Sequence, residues 1–241
     1  MPDEHAAALA SDTVGLLEGL TTTRAIRRYT DEAIPEAALR DLLFAATRAP
    51  SGSNRQPFRF LVLRDSPVAV EAKRLIGDAA RHLWGEKRAR DGYDRGTGVR
   101  PDSPKARMAA SMEHYVANFE RAPVVVLPLL QRYRAPMPSD GASVYPACQN
   151  LLLAARALGY GGVLTVFNVF VDDELHDLFG IPADVFIAAT ITLGRPAGAH
   201  GPVRRRPLTE LVYEDGWGVA APWAVDPPGT RHTSAGPPRD A

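Results

Sequence analysis

Three polar segments of this 241-residue chain carry side chains able to act on one ligand. The first is Thr23-Arg24-Ala25-Ile26-Arg27-Arg28-Tyr29, and the second is the loop Ser51-Gly52-Ser53-Asn54-Arg55-Gln56 that follows Pro50. The third is Arg204-Arg205-Arg206-Pro207-Leu208. Arginine offers a planar fork of donors and a permanent charge, which suit a phosphate dianion better than the point charge of lysine. Two arginine clusters and a Ser/Asn-rich loop can therefore converge on a phosphate and a hydrogen-bonding ring. Taken singly, each cluster also reads as solvated surface.

Other chemistries find no support. Gly141-Ala142-Ser143-Val144-Tyr145 lacks the second glycine of a nucleophile elbow, and Cys148 falls on an apolar helical stripe, so a serine or cysteine hydrolase is not indicated. The six histidines are scattered without metal-ligand spacing. Asp172, Asp173 and Glu174 stand where a helix starts and read as residues that complement its dipole. Gly96-Thr97-Gly98 lacks the further glycine of a dinucleotide fingerprint, and no Walker sequence occurs. There is therefore no dinucleotide motif from which a ribose contact can be read.

The elements that must position these segments can be read from periodicity and breakers. Leu39, Leu42, Leu43 and Ala46 form the stripe of an amphipathic helix over residues 35–48, with Pro35 in its first turn. Residues 49–57 hold two prolines and must form a shaped loop, followed by a β-rich run at 58–63. A helix is predicted over 67–83. Residues 84–104 show no apolar period and are expected to be a surface excursion, a candidate lid in which Trp84 and Tyr93 would cover a substrate slot. Across 81–107 eight basic residues face four acidic ones, an excess that suits an anionic ligand or a solvated loop. A helix over 106–120 precedes Pro123-Val124-Val125-Val126-Leu127-Pro128, which is apolar on both faces like a strand covered on both sides. Cys148, Leu151, Leu152, Ala155 and Leu158 mark a helix over 145–158, closed by Gly159-Tyr160-Gly161-Gly162. A strand at 163–167, a short helix from Asp172 and one last strand over 185–193 complete an α/β or α+β sandwich. From Gly229 onward the composition reads as disordered.

Composition sets the class. The chain balances 28 Lys+Arg against 28 Asp+Glu, which gives no electrostatic case for nucleic acid or an anionic membrane. Hydrophobic residues make up 45% and charged residues 23%, enough to bury a core. No run approaches the length of a membrane helix and the first ten residues lack the pattern of a signal peptide, so a cytoplasmic protein is expected. The single cysteine excludes an internal disulfide.

The motifs together resemble one family. Arg24-Ala25-Ile26-Arg27-Arg28-Tyr29-Thr30 and Ala49-Pro50-Ser51-Gly52-Ser53-Asn54-Arg55-Gln56-Pro57-Phe58 look like the opening of the nitroreductase family of FMN-dependent oxidoreductases. Residues 149–155 (Gln149-Asn150-Leu151-Leu152-Leu153-Ala154-Ala155), 158–162, Leu193-Gly194-Arg195-Pro196 and Arg205-Arg206-Pro207-Leu208 agree in order and spacing.

That resemblance implies an α+β three-layer sandwich, a central mixed β-sheet flanked by helices, in a domain-exchanged homodimer with FMN at the interface. Residues 1–19 would be an N-terminal helix or arm, 20–217 the flavin domain and 218–241 a flexible tail. Arg24 and Arg205, with Arg206 beside it, would hold the FMN phosphate, and Arg27 would sit near the pyrimidine edge. Pro50, Ser51, Gly52, Ser53, Asn54 and Gln56 would approach from the other subunit, and Leu164, Thr165 and Val166 would present backbone to the ring. Ala25 stands where the family commonly has serine, and Thr23 where a second arginine often stands. NADH or NADPH would reduce the flavin, which would pass two electrons to a small acceptor such as a nitroaromatic or a quinone, with no catalytic side chain required. The same fold also hosts reductive dehalogenases and a flavin-degrading enzyme, and a flavin-binding protein without turnover is a third class.

Overall fold

The structure, a computed structural model, describes residues 11–230. Its helices are α1 (Leu16–Thr22), α2 (Glu36–Thr47), α3 (Pro67–Arg90), α4 (Pro104–Ala117), α5 (Tyr145–Ala157) and α6 (Asp172–Phe179). Its strands are β1 (Phe58–Leu63), β2 (Val124–Gln131), β3 (Gly161–Thr165), β4 (Val185–Ile187) and β5 (Thr190–Gly194). One sheet runs in the order β1-β2-β5-β3, with β4 also paired to β2.

β2 explains the layers. Val124, Val126 and Leu130 pack with α2 and α5 on one face, while Val125, Leu127 and Leu129 pack with α3, α4 and α6 on the other. Each buried side chain contributes about 1.5–3 kcal/mol, so a strand apolar on both faces is held only between two helical layers. The three-layer α+β sandwich is therefore present in a single chain. The sheet is antiparallel at every pairing among the described residues rather than mixed. The cause lies in the connection: α3 and α4 return the chain to the end at which β1 finished, so Leu63 stands opposite Val125 and β2 runs back.

The last strand also departs from expectation, since residues 185–193 form two strands rather than one. Val126 pairs with Ile191 and Leu129 with Ile187, so the ladder advances three residues along β2 and four along its partner. The break faces Pro128, which has no N–H to give to the ladder, and Ala188 N instead donates to Pro128 O at 2.8 Å.

The excursion at 84–104 is more regular than its sequence suggests. α3 continues to Arg90 and stops at Asp91 and the left-handed Gly92 (φ 62°). Its polar end is braced by Arg88, which pairs with Asp94 at 2.7 Å and Glu113 of α4 at 2.8 Å. A helix held by ion pairs on all sides carries no apolar period, which is why the pattern hid it. Trp84 is only 4% exposed, packs at a tilt against the Tyr93 ring with centroids 5.1 Å apart and donates to Glu113 at 2.9 Å. This pair closes the α3–α4 junction and is not free to cover a slot.

α1 straddles the expected boundary at residue 19, and the remainder of the N-terminal arm lies outside the described residues. Of the expected tail, 218–230 are described: Ala220 bridges Tyr213, and Ala221 and Ala224 are buried. No helix among the described residues is long and apolar enough to cross a membrane.

Candidate functional site

The first arginine segment lies along the free edge of β3. Ile26 N donates to Gly162 O at 3.0 Å, Val203 N to Thr21 O at 3.0 Å and Ala197 N to Arg28 O at 3.0 Å. Tyr29 bridges Pro196 antiparallel. Glycines make the close approach possible. A Cβ on Gly161 would meet Ile26 Cγ1 at 2.6 Å, one on Gly162 would meet Thr192 O at 2.5 Å, and one on Gly194 would meet the Tyr29 ring at 2.8 Å. The Gly-Gly and Leu-Gly-Arg-Pro motifs thus let the arginine segment seat against the sheet.

Seating it buries part of a cation. Arg27 is half-buried, and its Nε is shielded from solvent with no hydrogen-bond partner. Burial pulls its guanidinium below the usual range, against the opposing influence of Tyr115 and Tyr29. The two phenols are themselves held above their usual value by burial, and both reach the Thr192 hydroxyl, at 2.8 Å from Tyr29 and 2.9 Å from Tyr115. A desolvated cation without a counter-ion is costly, and an incoming anion or carbonyl offsets that cost.

Arg27, with Arg28 and Ala197, lines two cavities. One, of about 310 Å³, is lined by Arg24, Ala25, Arg27, Ser111 and Ala197 among others. The other, of about 360 Å³, adds Tyr29, His114, Asn118 and Arg121. Ser111, His114 and Asn118 project from α4 and its end at spacings of three and four. Sequence reasoning missed them because a polar stripe on a helix reads as a solvated face; its only signal is that spacing.

The third segment is partly brought to the first. The Val203–Thr21 hydrogen bond falls two residues before Arg205 and three before Arg24. Arg24 is exposed beside Gly201, whose Cβ would lie 3.5 Å from its Nη1. Arg205 is exposed and donates to Arg204 O at 2.8 Å, whereas Arg206 pairs with Glu210 at 3.2 Å. Leu164 and Thr165 end β3 half-buried, and Val166 beyond them is exposed.

The second segment is shaped but lies elsewhere. Ser53, Asn54 and Gln56 all hold left-handed backbone, with φ of 52°, 50° and 50°. Strain of about 1–3 kcal/mol at each such residue persists only where surrounding contacts enforce it. Ser51 Oγ accepts from Gln56 N at 2.9 Å, and Gly52 N donates to Ser143 Oγ at 3.2 Å. The Ser51 hydroxyl is thus committed to the loop, while Gly52, Ser53, Asn54 and Gln56 stand exposed after Pro50. The loop precedes Phe58, opposite Leu130 at the late end of β2, whereas Gly162 aligns through Leu193 with Val124 at its early end. β1 and β3 are also opposite edges of the path, about 14 Å apart at the usual strand spacing. One chain therefore unites Arg24, Ala25 and Arg27 with the 195–203 stretch and does not bring the Ser51–Gln56 loop to them.

Cys148 is buried in the α2–α5 layer, and burial pushes its thiol up to about 12, which leaves no thiolate for chemistry.

Comparison with known proteins finds that the Nitroreductase family model matches residues 20–195. A Thermus thermophilus protein named NADH dehydrogenase is 29% identical over 208 residues, covering 78% of this chain and 90% of that protein. A Desulfovibrio desulfuricans structure in complex with FMN is 31% identical with a TM-score of 0.61, covering 83% of this chain and 96% of that one. Iodotyrosine deiodinase bound to FMN and 3-iodo-L-tyrosine shares the fold at 22% identity and a TM-score of 0.60, covering 84% and 99%.

Proposed function

The chain belongs to the nitroreductase family, and from that membership we propose that it is an FMN-dependent oxidoreductase that uses NADH or NADPH to reduce a small organic acceptor such as a nitroaromatic or a quinone. The observation that carries this reading is Arg27: a buried, unpartnered Nε on a residue that lines two cavities fits the oxygen-rich pyrimidine edge of a flavin. FMN bound there supplies the ability to take up a hydride and release two electrons.

The chain's own residues bind and orient. Arg24 is an exposed cation lining the cavity and Arg205 an exposed cation two residues beyond the Val203–Thr21 hydrogen bond, both suited to a phosphate, while Arg206 is engaged by Glu210 and takes a supporting place. Arg27 opposes negative charge that develops on the ring, in a partly dry site where charge complementarity is strong. The backbone at Leu164, Thr165 and Val166 supplies donors at the ring edge. Ala25 leaves one side-chain hydrogen bond unmade and adds room.

The strained loop at Ser51, Gly52, Ser53, Asn54 and Gln56 is supplied by a second copy of the chain, because within one copy it lies at the far edge of the sheet. A homodimer also covers apolar surface: Leu17 is 78% and Trp217 94% exposed in the single chain, and an apolar groove of about 300 Å³ opens between α1, α2 and α5.

The test is an absorbance spectrum of the purified protein reconstituted with FMN, followed by anaerobic addition of NADH and then NADPH. Oxidised-flavin bands that one reductant bleaches are expected. A flavin that binds and is bleached by neither would point to storage or sensing, and failure to bind would refute the assignment.

A further inference from the structure

Behind the Ser51–Gln56 loop lies a second cluster of arginines that the site above leaves unused. A small cleft shares Gly52 and Arg55 with the loop and is walled on its other side by Arg132, Tyr133, Arg134 and Asp140. The Arg55 guanidinium lies 4.3 Å over the Tyr133 ring, and Arg134 Nε reaches the Tyr133 hydroxyl at 3.3 Å. Tyr133 is nevertheless 60% exposed.

The charges do not balance. Arg132 and Arg134 share a single carboxylate, Asp140, at 3.4 and 3.2 Å. Arg132 has further acidic neighbours across an adjoining cleft, Asp172 and Asp173, and so is accounted for. No carboxylate among the described residues pairs with Arg55. An exposed arginine fixed by an aromatic ring rather than by an acid has lost rotamer freedom without losing its charge. That is the form of a preorganised anion receptor, with the Tyr133 ring holding both guanidinium groups, Arg55 at 4.3 Å and Arg134 at 5.3 Å from its centroid.

Resting on the functional reading above, we propose that Arg55, Tyr133 and Arg134 seat the phosphate-bearing adenosine end of the reductant, and that the enzyme prefers NADPH to NADH. Placement favours this ligand. Arg55 directly follows Asn54, so a nicotinamide over the flavin and a phosphate at Arg55 fall within the span of one dinucleotide. The 2′-phosphate of NADPH is the dianion that NADH lacks; Arg55 is the uncompensated cation to meet it, and Arg134, which shares Asp140 with Arg132, stands beside it.

The experiment uses the FMN-loaded full-length protein, anaerobic flavin reduction by each nucleotide, and calorimetric titration with adenosine 2′-monophosphate. The wild type is expected to favour NADPH in kcat/KM by roughly tenfold or more. Arg55→Ala/Arg134→Ala is expected to raise the KM for NADPH and the Kd of adenosine 2′-monophosphate by about ten- to a hundredfold. The KM for NADH, the rate at saturation and the flavin content should stay at wild-type values, and Arg134→Lys should recover part of the loss. Equal use of both nucleotides, an unchanged Kd, or a variant that loses flavin instead would overturn the assignment while leaving the oxidoreductase intact. If neither nucleotide bleaches the wild-type flavin, the functional reading fails and the reductant seat fails with it.

Discussion

A guanidinium nitrogen buried without a partner, at Arg27, is the feature on which the cofactor assignment turns. Arg24 lines a cavity with it, and both Arg24 and Arg205 are exposed cations. Replacing both with alanine removes two charge-assisted contacts of about 1.5–3 kcal/mol each, a loss of about two to four decades in affinity. The double variant should remain folded by circular dichroism and purify without flavin, and wild-type occupancy would show the phosphate to be held elsewhere. Cys148→Ala should keep full activity in the same assay, since the thiol is buried and un-ionised. His200 gives a pH test of the segment's seating. Its Nε2 meets Tyr160 O at 3.0 Å, its Nδ1 is buried without a partner, and burial, with Arg156 and Arg24 nearby, lowers its basicity. The unfolded chain therefore binds a proton more readily than the folded one. Stability should fall as pH drops below about 6.5 towards the lowered folded value, and be regained as it rises. A Tm profile across pH 5–8 should show that decline in the wild type and a shallower one in His200→Gln. Arg24, Arg27 and the Ser/Asn loop were legible as candidates because few residue types suit a phosphate so well. Ser111, His114 and Asn118 were not, because their position depends on which face α4 turns to a segment some 80 residues earlier in the chain.

Elements that owe their form to local pattern were legible, and those shaped by a distant partner were not. α2, β1 and α5 follow from stripes and breakers within their own sequence. The split between β4 and β5 comes from Pro128 on β2, about sixty residues away, which no period in 185–193 could announce. α3 ran past its expected end because ion pairs to Asp94 and Glu113 replaced an apolar stripe. Glycines at the seam between β3 and the arginine segment give the sharpest test at this scale. Gly162→Ala would press a methyl against Thr192 O, a backbone atom that cannot move aside cheaply. It should destabilise the protein by about 1–3 kcal/mol, a fall in Tm of about 2–10 °C. Gly161→Ala presses instead on the Ile26 side chain and should weaken flavin binding more than it lowers Tm, read by fluorescence titration against thermal melting.

At the scale of the whole molecule, a single chain holds the arginine segment and the Ser51–Gln56 loop at opposite edges of its sheet, and its apolar helix face and Trp217 stand open. Nothing within one sequence reports a neighbour of the same sequence, so pairing entered only through resemblance. Sedimentation should give twice the chain mass, but mass alone would not show that the copies share a site. Complementation would. Copies carrying Arg24→Ala/Arg27→Ala and copies carrying Ser53→Asp/Asn54→Asp, the latter repelling a phosphate, should each purify without flavin. Co-expressed, they form mixed dimers in which one site keeps both wild-type halves, and random pairing restores about a quarter of the wild-type flavin. Recovery near that level is the expected result; a mixture as empty as either variant alone, or a loop variant that binds flavin fully, would contradict a site built between two copies.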